Sequence, residues 1–385
     1  MKGFTFFEKK TKIIGLAMLF VFLIGTAFSL SGCGSGTTGG TFVSPEFAVV
    51  TNSGSGSVST YSISNGVLSS APVATTTAIS GSVPRWVAIN PAGGFGYVSY
   101  GKLGDVSTYS ISNGALSSSA VSTTAAISGS FPNKIVINPA GTFAYVANLS
   151  DGDISTYSII NGELSSSPAS TTTQITGYNI AGIILDLTNN FLYAVYFGNS
   201  TNPNNGFVAS YSISNGLLSS NPISETTPIP GSNPMGISID PSDNYIYVAN
   251  TGSGTNSSYS IANGIISPAP VSTTTPVSGS SPFINAVDPT GKFLYVANKG
   301  NGTVSSYSIT NGIISPAPVS TTTAISGSAP FGITVGPSDK YVYVTNSGNG
   351  TVSSYSITNG IISPAPVSTT TAISGSSPFW IAIVQ

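Results

Sequence analysis

The sequence contains no histidine, one cysteine and very little charge. Without histidine it lacks the commonest general base and the commonest neutral metal ligand. A single cysteine excludes an intrachain disulfide framework and any cysteine-based zinc cluster. Only 6% of the 385 residues are charged, against roughly 25% in an average soluble protein. Ten Lys+Arg stand against twelve Asp+Glu, a net charge of −2. No basic patch can form against a phosphate backbone, so nucleic acid is not an expected partner. What is present is 40% hydrophobic residues, 10% aromatics, 44 glycines and 25 prolines. That apolar content can bury a core, which argues against a disordered chain.

The first 32 residues read as an export signal. Lys2, Lys9, Lys10 and Lys12 form a basic start, and Ile13 to Leu30 is apolar and uncharged. A run of this length could also span a bilayer, so an uncleaved anchor is the competing reading. Leu30-Ser31-Gly32-Cys33 resembles the bacterial lipobox, in which the peptide before the cysteine is cut and the thiol receives a diacylglycerol. Gly34 follows, not aspartate, which by lipoprotein sorting rules points away from inner-membrane retention. The expected organisation is a signal peptide over 1–32, the lipidated Cys33 with a Gly/Thr tether over 33–45, and one domain over 46–385. The membrane, through the lipid on Cys33, is thus an expected partner, and the location is extracytoplasmic at the cell envelope. Removing the signal takes away four lysines and Glu8 and leaves an acidic, weakly charged chain.

Internal repetition sets the architecture. Tyr-Ser-Ile begins at Tyr61, Tyr109, Tyr157, Tyr211, Tyr259, Tyr307 and Tyr355, at spacings of 48, 48, 54, 48, 48 and 48 residues. Each unit holds four runs of β character. In one unit these are Phe331–Val335, Tyr341–Thr345, Thr351–Ile357 and an outer run from Ile361 to Ser374. Asn359-Gly360 is a strong hairpin signal, and Pro364 and Pro366 mark an edge strand. The chain starts on a second strand, Phe47–Val50, and ends on an inner one, Pro378–Val384. Joining them completes a seventh unit and removes two free sheet edges. The expected fold is all-β: a seven-bladed β-propeller of four-stranded antiparallel blades, closed by a blade built from both termini.

Tyr343-Val-Thr-Asn346 matches the signature of YVTN-type propeller repeats, and Tyr145-Val-Ala-Asn148, Tyr247-Val-Ala-Asn250 and Tyr295-Val-Ala-Asn298 are close variants. Asp240-Pro-Ser-Asp243 and Asp288-Pro-Thr-Gly-Lys292 resemble the turn that joins its strands. The chain therefore resembles a group that includes bacterial surface-layer propellers and lactonases similar to 6-phosphogluconolactonase. The motif is specific for fold and unspecific for chemistry. The resemblance implies that an enzymatic member would use His, Arg and carboxylates in the central funnel, and this chain has no His.

The residues offer few other constellations. Gly-Ser-Gly-Ser at 54–57 is a blade loop without a nucleophile elbow, and Gly300-Asn-Gly302 lacks the helix and lysine of a phosphate cradle. Asp151-Gly-Asp153, near Asn148 and Ser150, offers hard oxygen ligands, but a polar turn explains it as well, since Asp105 stands 48 residues before Asp153. No cofactor and no metal are expected. Residues 300–328 and 348–376 are identical, so function is sought where the repeats differ. They differ at the start of the inner strands. Four blades have Met235, Phe283, Phe331 or Phe379 there, whereas two carry Arg85-Trp86 and Asn133-Lys134. Trp86 and Trp380, the only tryptophans, share one repeat position. Arg85, Trp86, Lys134 and Trp380 are thus expected to share one arc of the funnel mouth, suited to a sugar or an anion. The plain alternative is that the indoles fill the channel and Arg85 pairs with Glu46. The insert from Phe197 to Asn205 that lengthens one spacing is expected on the same face. Three functions stay open: a lipid-anchored module binding polysaccharide or protein, a lactonase-like hydrolase of sugar lactones, and an architectural envelope component.

Overall fold

The computed structural model describes residues 46–384 except 128, 200, 201, 203 and 204. The expected signal peptide, Cys33 and tether lie outside the described residues. Among the described residues there is no helix long and apolar enough to cross a membrane. The chain forms seven antiparallel sheets arranged as a seven-bladed propeller.

The blade at Pro330–Ile362 shows the plan. Its inner strand Pro330–Val335 pairs with Tyr341–Asn346, which pairs with Thr351–Thr358, which turns back into Ile361–Ile362. The two prolines split the outer run: Ser368–Thr369 forms a separate two-residue strand on the same Thr351–Thr358 partner. Pro364 and Pro366 lie between these pieces, where no ladder donor is needed. The Asn-Gly turn has positive φ at both positions, 50° at Asn359 and 76° at Gly360, as a right-twisted hairpin requires. The closing blade is built as expected. Glu46–Asn52 pairs on one side with Ser57–Ser64 and on the other with Pro378–Val384, the two ends of the chain in one sheet.

Blades pack face to face, so the second strands are buried on both faces and carry apolar residues without alternation. The third strands bury serine and threonine and satisfy them locally. In all seven blades a threonine hydroxyl 18 residues ahead, such as Thr370 for Val352, accepts a backbone N–H near the start of that strand. Hydroxyls do here what charges do elsewhere, which accounts for the low charge content. Between blades, an aromatic ring at the start of each second strand covers the Asn-Gly turn of the next blade, as Tyr245 covers Gly312 and Phe293 covers Gly360.

Candidate ligand site at the mouth of the propeller

The variable positions lie in β-bulges. Pro84 faces Tyr100 and Val87 faces Val98, which leaves Arg85 and Trp86 opposite Ser99 alone. Asn133 and Lys134 stand likewise opposite Ala147, and Phe379 and Trp380 opposite Thr51. A bulge re-aims the side chains it carries. The first residue of each pair turns to the mouth, where Arg85, Asn133, Ala181, Met235, Phe331 and Phe379 line a cavity of about 200 Å³. The second residue is Trp86, Lys134 or Trp380 on one side and Gly182, Gly236 or Gly332 at the matching positions of three other blades; Trp86 and the seventh, Ile284, also border the cavity. A Cβ at Gly236 would come within 2.8 Å of Phe283 O, and one at Gly332 within 2.8 Å of Phe379 O.

Hydroxyls pin the bulges on the variant side. Trp380 N–H donates to Thr51 Oγ1 at 3.0 Å, and Thr51 donates onward to Arg85 O at 3.0 Å. Trp86 N–H donates to Ser99, and Ser99 to Asn133 O. Gly332 N–H donates to Thr345, and Thr345 to Phe379 O. The same position is Ala147, Val195, Ala249 and Ala297 in the other four blades. The third letter of the repeat motif therefore marks the arc where neighbouring inner strands are tied together. This signal is visible in the sequence once the motif's variation is read as chemistry.

The four expected site residues divide between two levels. Trp86 and Trp380 do come together, with ring centroids 3.4 Å apart and 16° between planes. They stack on each other as channel filling, and Lys134 Nζ lies 4.9 Å from the centre of the Trp86 ring. Lys134 is 9% exposed and is not part of the cavity wall. Burial alone brings its amine down to about 7, with no carboxylate to hold the charge. Arg85 and Trp86 line the cavity; Trp380 does not. Arg85 is not held by Glu46. Its guanidinium lies over the rings of Phe131 at 4.7 Å and Phe379 at 4.6 Å, its Nε is buried without an acceptor, and burial lowers its pKa.

Two residues of the site are not among the four expected ones, Lys299 and Asn133. Lys299, in the loop after a second strand, reaches over Phe283 at 4.8 Å and Phe331 at 5.2 Å. Burial and the like charge of Arg85 hold its amine below the usual lysine range. Asn133 is 8% exposed; its Nδ2 donates to Ala181 O at 2.8 Å while its Oδ1 has no donor. From the insert, Phe197 forms part of the wall, which places the start of that segment at the mouth. Among the described residues no cluster could hold a metal ion, and Asp153 accepts from Asn148 Nδ2 at 2.7 Å as a turn residue does.

The chain has been compared with known proteins. No curated protein matches it. Among solved structures, a putative 6-phosphogluconolactonase from Bacteroides fragilis is 17% identical, with 90% of this chain and 100% of that one covered, at a TM-score of 0.73. The periplasmic gluconolactonase PpgL of Pseudomonas aeruginosa is 16% identical, with 89% and 99% covered, at 0.72. Hydrazine synthase of Kuenenia stuttgartiensis is 18% identical over 85% and 99%, at 0.59. Likeness at these identities establishes the fold alone. A family model described as "Lactonase, 7-bladed beta-propeller" matches residues 41–177 and 172–378, and the chain belongs to that family.

Proposed function

We propose that the protein hydrolyses a lactone ring at the mouth cavity. One observation carries the reading: Arg85 and Lys299 are brought near each other and partly desolvated, and no carboxylate lowers the cost. Such a pair suits the oxyanion of an acyl-transfer intermediate and the carboxylate that lactone hydrolysis leaves behind. Water adds to the acyl carbon, the ring C–O bond breaks, and the products are one carboxylate, one hydroxyl and a proton. Arg85 holds the carbonyl oxygen as its charge develops. Lys299 adds a second positive charge beside the developing carboxylate, and the proton of the attacking water leaves to solvent. Family membership and the two gluconolactonase-type neighbours support this reading over a binding or purely architectural role. Display at the envelope through Cys33 is proposed on the Leu-Ser-Gly-Cys motif.

The test is a pH-stat assay on a panel containing gluconolactone and aryl-fused lactones, with wild type and Arg85→Ala. Removing one oxyanion donor should lower kcat by about 10²-fold. No hydrolysis above the spontaneous rate, or an unaffected Arg85→Ala, overturns the reading.

A further inference from the structure

We propose that the mouth cavity selects a hydroxyaryl carboxylate, and that the lactone opened there carries an aryl body where a sugar lactone carries hydroxyls. The second half rests on the hydrolase reading; the first does not. A polyhydroxylated ring needs a partner for nearly every hydroxyl it buries, since one left unpaired loses its bonds to water and gains none. Among the described residues, the polar side chains of the cavity wall are Arg85, Asn133, Lys299 and, through its indole N–H, Trp86. The rest of the wall is apolar, including three phenylalanines in tilted contact, Phe283 on Phe331 at 4.1 Å and Phe331 on Phe379 at 4.0 Å. An aryl ring extends that series; a sugar face does not.

The polar groups then define the rest of the ligand. Arg85 Nε is a buried donor with no acceptor, and Lys299 adds a second cation, so a carboxylate answers both. Asn133 is fixed in orientation because its Nδ2 is committed to Ala181 O, which leaves Oδ1 as a buried acceptor in need of an O–H. One anion, one hydroxyl and a flat apolar body together describe a hydroxyaryl carboxylate. Hydrolysis of an aryl-fused lactone yields that molecule with both polar groups on one scaffold.

Calorimetric titration of the wild-type protein with melilotate, hydrocinnamate (no hydroxyl), ortho-propylphenol (no carboxylate) and gluconate tests the ligand. Dihydrocoumarin and gluconolactone hydrolysis are measured alongside. Melilotate should bind at least about tenfold tighter than each of the other three, the discrimination expected where a site's polar group is left unpaired. Asn133→Leu should remove the advantage over hydrocinnamate. Lys299→Gln, at the exposed rim, should weaken melilotate without disturbing the core. Gluconate binding as tightly as melilotate, or three aryl compounds binding alike, overturns the proposal. If melilotate binds and neither dihydrocoumarin nor gluconolactone is opened, the ligand stands and the hydrolase reading falls. If gluconolactone is the faster substrate and melilotate does not bind, the hydrolase reading stands and the ligand falls.

Discussion

Lys134 offers a direct test of the physical account, because replacing it with methionine should make the protein more stable. The ammonium is buried against an indole with no anion beside it. Its ordinary value of 10.5 falls to about 7 in the folded protein. Between those values the unfolded chain binds the proton and the folded chain does not, so stability rises with pH across that interval. At 1.36 kcal/mol per pKa unit, the buried charge costs about 5 kcal/mol at pH 6 and about 2 kcal/mol at pH 9. The attraction between the ammonium and the Trp86 ring disappears on substitution, which offsets about 1 kcal/mol of the gain. Lys134→Met is close in length and shape, so little cavity or overpacking cost follows. Urea unfolding of both proteins at pH 6 and pH 9 should show the variant ahead by about 3–4 kcal/mol at pH 6 and, where the folded amine is neutral and no ammonium–indole attraction is lost, by about 2 kcal/mol at pH 9. Burial pushes the ionisation of the tyrosines upward, away from this window, and the raised carboxyls of Asp105 and Asp153 are the same in both proteins. Lys299 and Arg85 are common to both proteins and cancel in the difference. A variant that is less stable than wild type, or a difference that does not shrink with pH, refutes the view of Lys134 as an unpaired buried charge.

Gly312→Ala should destabilise by about 2 kcal/mol or more, from a positive φ costing about 1–2 kcal/mol and from a Cβ set 2.2 Å from the Tyr245 ring. Gly327→Ala, also at positive φ but with nothing within 4 Å, isolates the backbone cost in the same denaturation assay; equal losses would show that the ring packed over the turn contributes nothing. Thr51→Val removes the relay between Trp380 N–H and Arg85 O and should cost about 1–3 kcal/mol, with weakened ligand binding at Arg85. An unchanged binding isotherm would show that Arg85 needs no such positioning.

The blade count and the joining of the termini were legible because one 48-residue template repeats and its turn chemistry survives in every copy. The outer strand reads as one run because proline indicates an edge without saying how many residues still pair; Ile361–Ile362 and Ser368–Thr369 are what remains. Positions 85, 86, 134 and 380 stand out because they break the template, and the structure does gather them. Their division into two levels was not legible. It depends on how the bulges set their side chains: Arg85 and Trp86 border the cavity, whereas Lys134 and Trp380 do not. Lys299 escapes notice because its reach depends on a loop away from the inner-strand starts. Asn133 is visible only as a departure from the common residue, since the sequence does not show that one end of its amide is already committed to Ala181.

The closing strand has a consequence for when the site exists. Phe379, which carries the Arg85 guanidinium, and Trp380, which stacks on Trp86, lie among the last seven strand residues, Pro378–Val384. Arg85 and Trp86 belong to the first complete blade. A chain still emerging from the ribosome can fold blade after blade and yet lack Phe379, one of the two rings that carry Arg85, and the indole that stacks on Trp86. The ring must shut before the mouth is whole, so the stacked indoles act as a clasp whose spectroscopic coupling times the moment the protein becomes able to bind.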